Sequence, residues 1–136
     1  MPAFRFMPII LTMSLAAVAA AAGEFDGSVP LQCAVDKGHD CLPGATECTR
    51  LKPETDIAPI FGIDVAKKEI RSPFRTALLP ILHTTTNSES VVLQGADLQF
   101  AWSALINKTT GALTVTIADR KGAYVAFGQC KVAATK

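Results

Sequence analysis

Leu113-Thr114-Val115-Thr116-Ile117, then Asp119-Arg120-Lys121-Gly122, then Ala123-Tyr124-Val125-Ala126-Phe127-Gly128-Gln129-Cys130: this stretch decides the fold class. Apolar residues alternate with threonine over five positions, so one face is buried and the other wet, which is the period of a strand. The turn residues that follow send the chain back as a second strand. Working upstream, Asn107-Lys108-Thr109-Thr110-Gly111 separates this hairpin from a strand over residues 100 to 106, the glycine supplying a positive φ. Asn87-Ser88-Glu89 precedes Val91-Val92-Leu93-Gln94-Gly95, and residues 76 to 85 form an extended run in which Pro80 marks an edge or a break. Phe61, Ile63 and Val65 alternate with Gly62 and Asp64, after which Ala66-Lys67-Lys68 turns the chain into Glu69-Ile70-Arg71.

Residues 60 to 132 therefore read as an antiparallel meander of six or seven strands. With no helix to cover an apolar face, the sheet is expected to form a small closed or partly open barrel, a two-sheet sandwich being the alternative. Trp102 and Phe127 are expected inside it. The supply of Leu, Val, Ile and Phe suggests a barrel packed solid, which favours surface partners over an internal ligand.

Residues 23 to 59 read as a loop-rich segment, with Pro30, Pro43, Pro53 and Pro59 among Gly27, Gly38 and Gly44. Lys52-Pro53-Glu54-Thr55-Asp56 suits a single helical turn. Residues 1 to 22 have the features of a secretory leader: Arg5, an apolar stretch over residues 9 to 18, and Ala20-Ala21-Ala22 before Gly23. The apolar run of residues 7 to 22 is shorter than the roughly 20 residues of a spanning helix. The expected mature chain is one small β domain over residues 23 to 136, periplasmic or secreted, monomeric, with no stable membrane insertion. Its twelve basic residues balance its twelve acidic ones, so no electrostatic footprint for nucleic acid is present.

Export changes the meaning of Cys33, Cys41, Cys48 and Cys130, because an oxidising compartment turns an even cysteine count into a disulfide framework. Four cysteines allow three pairings. Pro43-Gly44 between Cys41 and Cys48 favours joining those two, and Cys33 with Cys130 encloses the domain, where a bridge restricts the unfolded chain most. Cys33, His39, Cys41 and Cys48 could instead offer metal ligands, but their spacing is not that of zinc knuckles or ribbons.

Leu31-Gln32-Cys33, Asp40-Cys41, Glu47-Cys48, residues 61 to 70, Trp102-Ser103, Thr110-Gly111 and residues 119 to 130 together resemble a family of small exported proteobacterial proteins with four cysteines. The resemblance implies a periplasmic setting. It brings neither a catalytic residue nor a ligand.

No constellation for catalysis stands out. His39 and His83 lie outside any metalloprotease spacing, and there is no nucleophile elbow or phosphate-cradling glycine loop. No metal or cofactor is expected, and the protein reads as a non-enzymatic binding module. An inhibitor of an envelope hydrolase such as lysozyme is the second reading. The candidate partner-binding residues are His39 and Asp40, beside Gly38, and Arg71 and Arg75, which flank Pro73-Phe74. Both segments combine charge with Gly or Pro, which bend or stiffen a loop and leave it exposed.

Overall fold

In the computed structural model, which describes residues 24 to 51, 58 to 73 and 76 to 134, the chain forms ten antiparallel β-strands and, among these residues, no helix. They are β1 (Leu31–Cys41), β2 (Thr49–Leu51), β3 (Ile60–Asp64), β4 (Glu69–Arg71), β5 (Leu79–Pro80), β6 (His83–Thr86), β7 (Ser90–Asp97), β8 (Phe100–Asn107), β9 (Ala112–Asp119) and β10 (Ala123–Val132). Nine follow one path, β5-β4-β3-β1-β10-β9-β8-β7-β6, and β2 pairs with β1 beside it. The leader, the turn at Lys52 to Asp56, and Arg75 lie outside the described residues.

The sheet curls into a half-barrel whose two edges belong to one run of chain. β5 and β6 are separated only by Ile81 and Leu82. The Ile81 N–H donates to the Lys68 carbonyl (2.8 Å) and the Leu82 N–H to that of Gln94 (2.9 Å), so the run crosses from the β3–β4 turn to β7. Pro80, lacking an N–H, stands where pairing with β4 stops. Asp119–Gly122, Asn107–Gly111 and Asn87–Ser90 each make their turn through an Asx side chain: Asp119 Oδ1, Asn107 Oδ1 and Asn87 Oδ1 accept from N–H groups two and three residues on. Gly111 has φ +71°, as its place at the end of the hairpin turn requires.

Inside the curve lie Leu31 and Cys33 of β1, Ile63, Ile70, Val91, Leu93, Trp102, Ala104, Ile106, Leu113 and Cys130. Leu31, Leu93, Ile106 and Val91 are fully buried, each a stabilisation of roughly 1.5–3 kcal/mol relative to exposure. Both disulfides join the pairs favoured by the spacing. Cys33–Cys130 links directly opposed residues of β1 and β10, and Cys41–Cys48 closes a seven-residue separation at the end of β1.

Three readings of the sequence are corrected. The loop-rich segment contains β1, an eleven-residue strand at the centre of the sheet, together with β2. Pairing along the whole of β10 overrides the weak strand propensity of Lys37-Gly38-His39-Asp40. The count of six or seven strands becomes ten because β1 and β2 are added and the run at residues 76 to 85 divides into β5 and β6. Phe127 faces outward and is 41% exposed, since it lies three residues from inward-facing Cys130 and an odd offset places it on the other face.

Candidate functional site at the open end of the half-barrel

The two ends of the half-barrel differ. At one, Phe25 is buried against the β8–β9 turn, its N–H donating to the Lys108 carbonyl (3.2 Å). Lys108 also ties that turn to the β6–β7 turn, through its N–H to Glu89 O (2.8 Å) and its Nζ to Asn87 O (3.0 Å). This end is closed. At the other end gather the β7–β8 turn, the β9–β10 turn and the last residues of β1, where Cys41 opposes Ala123. There, among the described residues, a cavity of about 280 Å³ is lined by Phe61, Ser72, Leu79, Phe100, Asp119 and Tyr124 among others. Phe61, Leu79 and Phe100 pack against the core yet stay half-buried. The volume falls close to the lower end of small-molecule sites, roughly 300 Å³.

Register explains how the polar groups reach this mouth. Asp40, Tyr124, Ile117 and Trp102 are successive cross-strand partners on β1, β10, β9 and β8, so they share the inner face. Asp119 follows Leu113, Val115 and Ile117 at even spacing and inherits that face. Its Oδ1 accepts from the N–H groups of Lys121 (2.7 Å) and Gly122 (3.0 Å), which fixes the carboxylate at the rim. Asp40 Oδ1 is buried and has no hydrogen-bond partner among the described residues, and the same holds for Trp102 Nε1. The negative charge of Asp40, and after it that of Asp119, holds the Tyr124 phenol above its ordinary range.

The structure separates the four residues singled out from the sequence. Asp40 lies at the inner face beside Tyr124. His39, expected in a loop, is a strand residue on the outer face, opposite Val125 on one side and Arg50 on the other. Arg71 is exposed on β4, between buried Ile70 and buried Ser72, and so points away from the interior. Arg75 lies outside the described residues. No group of three or more His, Cys, Asp or Glu side chains is placed to hold a metal ion among the described residues, and Cys33, Cys41 and Cys48 are engaged in disulfides.

A larger hollow, about 330 Å³, crosses the outer surface of β7 to β10 over small side chains such as Ala101, Ala118 and Ala123. Its polar groups are partly satisfied by one another, the Ser103 and Thr116 hydroxyls lying 2.7 Å apart. The mouth is the stronger candidate because it is concave by construction and holds charged groups beside aromatic ones. Tyr124 and Asp119 were not anticipated as site residues, although a signal existed: both sit at even offsets from residues that must face the core, six before Cys130 and two after Ile117.

Fold and mouth together define a class, a disulfide-stapled β half-barrel closed at one end and open at the other through an aromatic, acidic rim. Comparison with models of known protein families, with curated proteins and with solved structures gives no match.

Proposed function

We propose that the protein is a non-enzymatic binding module exported to the bacterial periplasm, and that it binds through the open end of the half-barrel. The observation that carries this is the asymmetry of the two ends. Among the described residues one end is closed by Phe25 and by the turns that Lys108 ties together, whereas at the other, half-buried Phe61, Phe100 and Tyr124 line a cavity of about 280 Å³. The disulfides accord with an oxidising compartment. No helix among the described residues is long and apolar enough to cross a membrane.

Retention of envelope components on immobilised protein tests the reading. Wild type should retain a component that the Tyr124→Ala/Asp119→Asn protein loses and that His39→Ala and Arg71→Ala proteins keep. Equal retention by all four would remove the mouth from consideration. An exported protein whose intact mass still included Met1 would defeat the periplasmic part.

Inhibition of an envelope hydrolase such as lysozyme is favoured by one specific feature, the exposed loop between Cys41 and Cys48, closed by its disulfide at the same end of the barrel. A lysozyme assay with and without a molar excess of the protein decides it, unchanged turnover excluding that reading.

A further inference from the structure

We infer that Cys41–Cys48 is a thiol–disulfide exchange site that a dithiol reduces in the folded protein, and that its reduction releases residues 42 to 51 from the sheet while Cys33–Cys130 keeps the half-barrel intact. The inference is independent of what the open end binds.

The two bridges have opposite surroundings. Cys33 is fully buried and Cys130 is 3% exposed, so a thiolate reaches that bridge only when the central strands β1 and β10 open. Cys48 is exposed, Cys41 is half-buried, and every residue from Leu42 to Leu51 is exposed. A Cβ on Gly44, in the middle of the loop, would meet nothing within 4 Å. Exchange proceeds by attack of a thiolate on a disulfide sulfur and requires access to it, which makes exposed bridges the labile ones.

The clasp is also one-sided. Cys41 belongs to the sheet, since it pairs with Ala123 of β10 and its carbonyl lies close against Gly122. Cys48 lies outside the strands and joins the sheet through the bridge and through β2. That strand meets β1 in three residue pairs, Gly38 with Leu51, His39 with Arg50 and Asp40 with Thr49. The Ala45 N–H donates to the Leu42 carbonyl (3.1 Å), which closes a turn within the loop and ties it to nothing else. No ion pair or side-chain hydrogen bond joins residues 42 to 51 to the sheet among the described residues. Leu42 and Leu51 are 54% and 44% exposed, so little apolar surface is buried there. So short and exposed a pairing does not by itself offset the entropy of ordering the segment. The bridge decides whether it stays in place.

The co-reactant is a dithiol, and with it the electrons balance. One thiolate of the dithiol attacks Cys48 Sγ, the sulfur on the more exposed residue. The bond to Cys41 breaks, and Cys41 leaves as a thiolate that takes up a proton. The second thiolate of the dithiol then attacks the dithiol's own sulfur in the mixed disulfide, and Cys48 leaves and is protonated in turn. The chain gains two electrons and two protons, and the dithiol becomes a disulfide.

The experiment starts from the oxidised native protein in dithiothreitol, quenched at intervals with iodoacetamide and mapped by mass spectrometry. Cys41 and Cys48 should be alkylated at least about a hundredfold faster than Cys33 and Cys130, because the buried bridge waits on an opening of the central sheet. In denaturant the two rates should converge. Glutathione in place of dithiothreitol should leave its adduct on Cys48. Hydrogen exchange of the selectively reduced protein should show lost protection at Thr49 to Leu51, with β7 to β10 unchanged, and the Cys41→Ser/Cys48→Ser protein should show the same pattern without reductant. Reduction of both bridges at equal rates in the native protein, or of Cys33–Cys130 first, would overturn the exchange site. Selective reduction that left Thr49 to Leu51 protected would overturn the release, and a glutathione adduct on Cys41 would overturn the choice of sulfur.

Discussion

Tyr124 stands opposite Asp40 in the β1–β10 register, and the carboxylate of Asp40, with Asp119 as the second contributor, holds its phenol above the usual range. Tyr124 is the single tyrosine of the chain, so its ionisation is readable by absorbance without ambiguity. Its midpoint should lie above the ordinary value of about 10. Asp40→Asn should bring it down, and Asp119→Asn should do so by less. In the unfolded chain the phenol ionises at its ordinary value. The contribution of Tyr124 to stability is therefore fully present below about pH 10 and is lost as pH rises through the raised midpoint. A Tyr124 midpoint unmoved by Asp40→Asn would show that the two side chains do not sense one another.

Asp64 behaves in the opposite sense at the β3–β4 turn. Its carboxylate accepts from the Lys67 N–H (3.0 Å) and lies 3.3 Å from Lys67 Nζ, and the backbone bond is the main cause that lowers its pKa. A carboxyl depressed in the folded state stabilises above its unfolded value, about 3.9, and that contribution disappears as pH falls through the folded value. Asp64→Asn should therefore flatten the loss of stability on acidification. Denaturant midpoints at pH 6 and pH 3 should lie closer together for the variant than for wild type.

The two disulfides should differ in worth. Cys33 and Cys130 are 97 residues apart and Cys41 and Cys48 are seven apart. Loop-closure entropy gives about 4.7 kcal/mol for the first and about 2.4 kcal/mol for the second. Replacing the long-range pair by alanines should lower the unfolding free energy by roughly 2 kcal/mol more than replacing the short-range pair, measured by denaturant titration. No thiol should react with maleimide before reduction, since the described residues contain no free cysteine.

Why β9, β10 and their turn were legible and β1 was not is a matter of how each acquires its conformation. Leu113, Val115 and Ile117 alternate with threonine, so local propensity, patterning and turn chemistry agree. β1 lacks that agreement beyond Val35. Its register shifts between Val35 and Lys37, a bulge at Asp36 that interrupts the alternation. Leu31, Cys33 and Val35 take the inner face on odd numbers, and Gly38 and Asp40 take it on even numbers. Strict alternation from Cys33 would have placed His39 inside and Asp40 outside, the reverse of what is found. The mouth was illegible for a related reason, since Phe61 and Tyr124 meet only through the curl of the sheet, and curl depends on bulges and twist that no short window contains. Phe127, by contrast, was misplaced although its odd offset from Cys130 was available.

Gly95 offers the last test, at the seam that joins the sheet's two edges. It is buried on β7 directly opposite Trp102, and a Cβ there would overlap the Trp102 indole and the Pro80 carbonyl. The glycine lets the indole lie across β7 toward the β5–β6 run. A methyl group must push aside either the indole of Trp102, a residue only 7% exposed, or the backbone of Pro80, and overpacking of this kind costs about 1–3 kcal/mol. Gly62 supplies the control. It is also within a strand, but a Cβ would meet only Arg71 Cβ at 3.6 Å, an ordinary contact. Gly62→Ala should be neutral or stabilising by up to about 1 kcal/mol, because alanine restricts the unfolded chain. Denaturant titration of both variants, followed by the fluorescence of Trp102, the single tryptophan, should show a lower midpoint for Gly95→Ala alone. Equal midpoints for the two would mean that Trp102 does not rest on Gly95 and that the seam is looser than the Ile81 and Leu82 hydrogen bonds require.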